Sequence, residues 1–242
     1  MAVYALTSPD IYVGNFDLSS DCNAIAGKID TNDLDVTTFG SGGWHARIAG
    51  LHDVSLDLDG FTNLGSSNSE QYLMSILGVA NQVATIGETD GSQGSPALML
   101  RTIELGHEQS LKVGDAATFK IPLKGSSVAV RGTMLWGKST VTGTTTNGVY
   151  VSLGAVGATQ YLYGTQHIFS FAGTSIVTVI SSATNASGLG ATTRLTFTSQ
   201  STASAEFAAR VAGPITDTFW GASTTIVGAT ASITFAVAMG IQ

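Results

Sequence analysis

The chain has 242 residues, of which 43% are hydrophobic and only 11% charged, and its mean hydropathy is +0.27. Disorder is excluded, since so apolar a chain can offset its ordering entropy by burial. A net charge of −7 argues against gripping nucleic acid through phosphates, and the lone cysteine, Cys22, cannot close an intramolecular disulfide. Residues 1–10 lack a basic stretch followed by an apolar run, and no run of eighteen apolar residues follows. Neither a signal peptide nor a spanning helix is therefore expected.

Twenty-nine glycines against four prolines, with abundant Thr, Ser, Ala and Val, predict short strands joined by glycine turns and a mainly β fold. The first strand is expected over 33–39 and is followed by a turn at Gly40-Ser41-Gly42-Gly43. Over 53–59, Val54, Leu56 and Leu58 alternate with Asp53, Ser55, Asp57 and Asp59, a strict period of two with one apolar and one acidic face. Ser67 and Glu70 fit a capping box, and Tyr72, Leu73, Ile76 and Leu77 form the apolar face of a helix that Gly78 would end. Strands follow at 118–123, at 128–136 with Val128, Val130, Met134 and Trp136 on one side, and at 149–153, 167–171 and 175–180. Leu195 and Phe197 mark another strand. Residues 203–211 read as a second short helix, with Glu206 and Arg210 four apart and Gly213-Pro214 as its stop. The last strands are expected at 219–227 and around Ile233, Phe235, Val237 and Met239, half-buried and antiparallel.

Charge is uneven along the chain. Before Pro122 there are fifteen acidic and five basic residues, net −10; from Pro122 onward there are two and five, net +3. Two readings stand: complementary surfaces that steer self-association, or acidic loops that simply fall early.

No reaction centre emerges. His45, His52, His107 and His167 show no metal-ligand spacing and read as ordinary surface or strand histidines. Residues 132–139, GTMLWGKS, satisfy the phosphate-loop pattern G-x-x-x-x-G-K-S, but Met134 and Trp136 continue a strand alternation and no helix follows, so the match reads as chance. Asp30, Asp33 and Asp35, like Asp53, Asp57 and Asp59, lack the spacing of a calcium loop and read as solvated acidic faces. Cys22 beside Asp21 has no adjacent base. No catalytic, cofactor-binding or metal-ligating residue is assigned, and a structural or interaction protein is the leading class.

Several segments together resemble one family. LDVTTFGS at 34–41, Trp44 and AGLHDVSLDLDGF at 49–61 resemble the amino-terminal region of tail tube (major tail) proteins of long-tailed bacteriophages. TTRLTFT at 192–198, GPITDTF at 213–219 and the closing 235–241 are similar to their carboxy-terminal strands. The resemblance implies a single domain over 1–242, a β-sandwich or distorted barrel with one flanking helix at 69–77, and a non-enzymatic role. Residues 134–165 have no counterpart and read as an outer elaboration or an inter-ring arm.

It further implies a virion protein, made in the host cytoplasm, whose copies form rings, commonly of six, stacked into a tube with other tail proteins as partners. DNA passes through without specific binding, and no membrane or cofactor is involved. Asp53, Asp57 and Asp59 are the candidate electronegative face, on the lumen in this scheme, and Trp44 and Trp136 the candidate core or interface anchors. Another virion component, a capsid decoration protein or tail terminator, is the nearest alternative. A carbohydrate-binding or hydrolytic tail module lacks an aromatic row or paired glutamates, and an outer-membrane barrel lacks aromatic girdles.

Overall fold

The computed structural model describes residues 8–63, 68–142, 145–228 and 232–242. In chain order the strands are β1 (Asp10–Val13), β2 (Phe16–Asp17), β3 (Cys22–Asp35), β4 (Arg47–Phe61), β5 (Gln82–Gly87), β6 (Pro96–Glu104), β7 (Glu108–Ser110), β8 (Thr118–Gly125) and β9 (Val130–Thr142). They continue as β10 (Thr145–Asn147), β11 (Val151–Ser152), β12 (Tyr161–Ala172), β13 (Ser175–Ala183), β14 (Thr192–Thr196), β15 (Ser204–Phe207), β16 (Val211–Ala212), β17 (Phe219–Val227) and β18 (Ser232–Ile241). One helix, α1 (Ser69–Ile76), and a 3₁₀ turn at Phe39–Ser41 complete the described elements. Mainly β with a single helix is thus the fold class. Among the described residues no helix is long and apolar enough to cross a membrane.

The chain forms two compact units. The first comprises Met1–Ser20, Asn81–Arg101 and Ser127–Gln242, and the second Asp21–Ala80 and Thr102–Ser126. Residues 134–165 belong to the first unit and supply most of β9, all of β10 and β11, and the start of β12. Partitioned by unit, the formal charges are −1 and −6, because Asp10, Asp17, Glu88 and Asp90 fold into the first unit. The charge contrast between the units is therefore weaker than that between the sequence halves.

In the first unit, one sheet runs β15-β12-β18-β9-β6-β5-β1-β2 and a second holds β10, β17, β13 and β14. The two sheets enclose a core containing Leu162, Ile168, Ile176, Ile180, Phe197, Trp220, Phe235 and Val237. A separate core joins Tyr12, Val83, Met99 and Met134 to Tyr163, Phe207, Ala236 and Ala238. Side chains from distant strands of one sheet share that cluster, so the sheet curls over on its own opposite face. β18 lies between the two cores, with Ile233, Phe235, Val237 and Met239 in one and Ala236 and Ala238 in the other. It is buried on both faces from Phe235 to Met239, not half-buried as its alternation predicts.

The expected alternation of Val128, Val130, Met134 and Trp136 also breaks. Register shifts between β9 and β18 change the side-chain parity, so Met134 joins one core while Leu135 and Trp136 join the other, and Val128 is exposed. The phosphate-loop look-alike lies wholly within β9. A Cβ on Gly132 would come within 2.0 Å of the Met239 carbonyl oxygen, and one on Gly137 within 2.7 Å of the Gly91 carbonyl oxygen. Both glycines are thereby explained by close backbone approach.

The expected helix at 203–211 is instead β15 and β16, both paired with β12. The open edge of β12 takes hydrogen bonds that a helix would have kept to itself. Glu206 accepts the Thr198 N–H at 2.8 Å, and the Arg210 guanidinium lies 3.9 Å over the Tyr161 ring. The predicted helix at 69–77 does form. Ser67 lies outside the described residues, and the N-cap is Asn68, whose Oδ1 accepts the Gln71 N–H at 2.8 Å. Gly78 takes the left-handed conformation expected of it, with φ +76°.

The curl of the first sheet is pinned at His167, which is fully buried on β12. Its Nδ1 donates to the Gly14 carbonyl at 2.7 Å, which can only accept, so Nε2 receives the Thr85 hydroxyl at 2.8 Å. Burial pushes the imidazole down to about 4, against the opposing effects of Gly14 and Asp17. The unfolded chain takes up this proton below pH 6.5 while the folded chain does not, so stability present above pH 6.5 is lost as pH falls toward 4. About 2–3 kcal/mol should be lost between pH 7 and pH 4.5 through this group. Urea unfolding of His167→Gln should show a correspondingly flatter acid limb than the parent chain.

Candidate interaction surface

β3 and β4 form the longest hairpin of the second unit, paired from Cys22 opposite Gly60 to Asp35 opposite Arg47 with register shifts at Cys22/Ala24 and Thr31/Asp33. β8 pairs with β4 only from Ser55 to Phe61, so beyond Ser55 the hairpin is a ribbon of two strands. At its base, Val54, Leu56 and Leu58 are buried, as are Phe119, Ile121 and Leu123 on β8 and Leu73 and Ile76 on α1. Across 26–53, among the described side chains, only Ala46 and Gly50 are even half-buried. An isolated two-stranded hairpin is marginal in water because neither face has anything to pack against.

The ribbon is nonetheless apolar. Ile29, Leu34, Ile48 and Leu51 are exposed along it, Phe39 is fully exposed at its turn, and Trp44 is 81% exposed. Some of its charges are paired locally: Lys28 with Asp30 and Arg47 with Asp33, while His45 Nδ1 lies 3.1 Å from Asp35 Oδ2. Asp35 also accepts the Thr37 hydroxyl and, at 2.9 Å, its N–H; these bonds, the hydroxyl's first, hold the Asp35 carboxyl below the usual range. The Val36 N–H donates to the Ala46 carbonyl at 2.8 Å, closing the ladder before the glycine turn. Gly42 and Gly43 both take positive φ, so the turn expected at 40–43 is present. The result is a ribbon with exposed apolar side chains and, among the described residues, no strand paired with β3 besides β4, which makes it the candidate interaction surface.

Asp53, Asp57 and Asp59 share one face of β4, Asp53 exposed and the other two half-buried. Register places lysines on the same face. Asp59 stands opposite Lys120, Ser55 lies between Lys28 and Lys124, and Asp53 faces Asp30. This face therefore mixes signs. A groove of about 530 Å³ crosses it, lined by Asn23, Asp59, Glu108, Gln109 and Lys120 among others.

The two tryptophans part company. Trp136 is half-buried against the first unit's core, its ring 5.0 Å from Phe235 and its Nε1–H donated to Ser139 Oγ at 2.6 Å. Trp44 is outside any core of the described residues. Sequence reading missed Ile29, Leu34, Ile48 and Leu51. The available signal was a pair of strand candidates flanking a glycine turn, with apolar residues in excess of what a two-stranded ribbon can bury. Among the described residues, no group of three or more His, Cys, Asp or Glu is arranged to hold a metal ion.

No protein-family model matches the sequence, and no curated protein matches it. Several solved structures are similar in part. A chain of the virion of a native gene transfer agent particle matches 48% of this chain and 92% of its own, at 11% identity and a TM-score of 0.39. A chain of the sheath/tube terminator of an extracellular contractile injection system in the extended state matches 54% of this chain and 97% of its own, at 15% identity and 0.44. The Dit protein of SPP1, from the hub adsorption apparatus of phages infecting Gram-positive bacteria, matches 98% of this chain and 100% of its own, at 10% identity and 0.38.

The exposure of Trp44 and Phe39 predicts that their replacement by alanine leaves unfolding of the isolated chain within about 0.5 kcal/mol of the parent. Trp220→Ala, in the first unit's core, should cost about 3–5 kcal/mol. Thermal and urea denaturation of the three variants checks both.

Proposed function

We propose that the chain is a structural protein of a phage-type tail that works by joining copies of itself through the β3–β4 ribbon, building stacked rings that form a tail tube for DNA. The observation that carries this reading is the ribbon: a long two-stranded hairpin with exposed apolar side chains and, among the described residues, no further strand on its β3 edge. Such a hairpin gains most of its stabilisation from a neighbouring chain. The sequence resemblance to tail tube proteins, which includes this segment, agrees with it. Heterologous contacts of this type generate rings when the rotation closes and filaments when it does not. Activity would then belong to the assembly.

Electron microscopy with sedimentation tests the reading. The parent chain should form rings or tubes as concentration rises, and replacing 30–52 with a short Gly-Ser turn should leave only small species with both cores intact. Trp44→Ala should raise the concentration needed for assembly by about tenfold or more, as expected for an aromatic anchor. A parent chain that stays monomeric at all concentrations excludes the reading, and stable trimers that bind empty shells would identify a capsid decoration protein instead.

In the same scheme, Asp57 and Asp59 lie on a surface that DNA passes, where their carboxylates offset the interleaved Lys28, Lys120 and Lys124 within the Debye length of about 8 Å and so keep phosphates from sticking. Changing both to lysine should slow DNA release while tubes still assemble. Particles of undiminished infectivity would remove these residues from the lumen.

A further inference from the structure

The second unit holds a buried cluster of titratable groups that the assembly reading does not use. His107, between β6 and β7, has its side chain 6% exposed and lies between two carboxylates. Its Nδ1 is 3.0 Å from Glu104 Oε1 at the end of β6, and its Nε2 is 2.9 Å from Glu70 Oε1 in the first turn of α1. The Glu104 side chain is fully buried, and Oε2 of both glutamates is buried with no hydrogen-bond partner among the described residues. The Glu104 carbonyl also accepts the Gly78 N–H at 2.9 Å, just past the helix. Both ends of α1 are thus tied to the end of β6.

An ionised carboxylate only accepts, and a neutral imidazole donates from one nitrogen and accepts at the other. Two such contacts around one ring therefore require two protons among the three groups, either a doubly protonated ring or a neutral ring with one carboxylic acid. With a single proton, a nitrogen lone pair faces a carboxylate oxygen at a buried position, where the repulsion is weakly screened. We propose that Glu70, His107 and Glu104 form a proton-operated clamp on α1, closed while the trio holds two protons and loosened when a rise in pH removes one.

A third proton does not open the clamp, because it can sit on an unpartnered Oε2 and leave both contacts to the ring in place. The direction agrees with the electrostatics. Burial pushes the Glu104 carboxyl up, His107 opposes this and Glu70 adds to it. A group raised on folding contributes stability at low pH and loses it as pH rises through its folded value. Glu108, next to His107 on β7, stands opposite Lys120 of β8. Loosening would uncover Leu73 and Ile76, beside the already exposed Met74, Leu77 and Val79. Loss of a proton would then enlarge the apolar surface of the unit that carries the ribbon, whatever that ribbon binds.

Hydrogen exchange of the whole chain, followed by mass spectrometry at pH 6 and pH 9 and corrected for the intrinsic pH dependence of exchange, tests the clamp. Protection of 69–77 should fall about tenfold or more at pH 9 relative to β17 as an internal reference. In Glu70→Gln the amide can donate to an unprotonated ring nitrogen, so protection should be nearly equal at the two pH values; His107→Gln, which cannot titrate, should also show no pH response. Equal protection at both pH values in the parent chain, or a response of parental size in both variants, overturns the proposal.

Discussion

Among the described residues no third strand accompanies β3 and β4 beyond Ser55, and the character of the second unit follows from that. While β8 accompanies β4, the alternation of Val54, Leu56 and Leu58 has a core to face and those side chains are buried. Past that point the same two strands continue to Asp35 and Arg47 with solvent on both sides. Apolar residues on such a ribbon have no intramolecular means of leaving water. Several of its polar residues, in contrast, are partnered within it, by the Lys28–Asp30 and Arg47–Asp33 ion pairs and by the Asp35, Thr37 and His45 bonds at the turn. Charges that are already paired cost less to desolvate than unpaired ones.

The first unit meets the opposite demand, because its long sheet must curl without losing its backbone bonds. It does so by placing β18 between two cores and by absorbing the change of direction in register shifts against β9 and β12. Small side chains, Ala236 and Ala238, face the curled side, while Ile233, Phe235, Val237 and Met239 fill the sandwich. Polar groups inside this unit are absorbed by structural bonds. Gln166 donates to Thr178 at 2.9 Å, and Asp217 receives both the Ser182 hydroxyl at 2.7 Å and the Arg194 guanidinium at 2.8 Å. His167 belongs with them, a neutral link from β12 to the turn after β1.

Much of this was legible from local pattern. Period-two alternation marks β4 and β18, a glycine turn separates the first two strand candidates, and the helix at 69–77 shows its apolar face and its terminal glycine. The look-alike phosphate loop could be set aside because its apolar residues continue a strand. Failures occurred where a distant partner decides the outcome. Residues 203–211 have a helical charge spacing, yet the open edge of β12 draws them into β15 and β16. The parity of Met134, Leu135 and Trp136 depends on bulges that no local pattern announces.

The candidate surface shows the same division. Sequence could pick out Asp53, Asp57, Asp59 and Trp44, but not that lysines from β3 and β8 interleave with the acids, nor that His107 lies between Glu70 and Glu104. By itself the sequence determined the fold class, most strand positions, the helix and the absence of a recognisable reaction motif, since these follow from side-chain periodicity and backbone preference within a few residues. Tertiary structure alone decided the two-unit division, the register shifts, the buried histidine contacts and the ribbon's exposure. Each depends on which strands pair across long stretches of chain, and an alternating segment carries no record of whether a third strand will cover it.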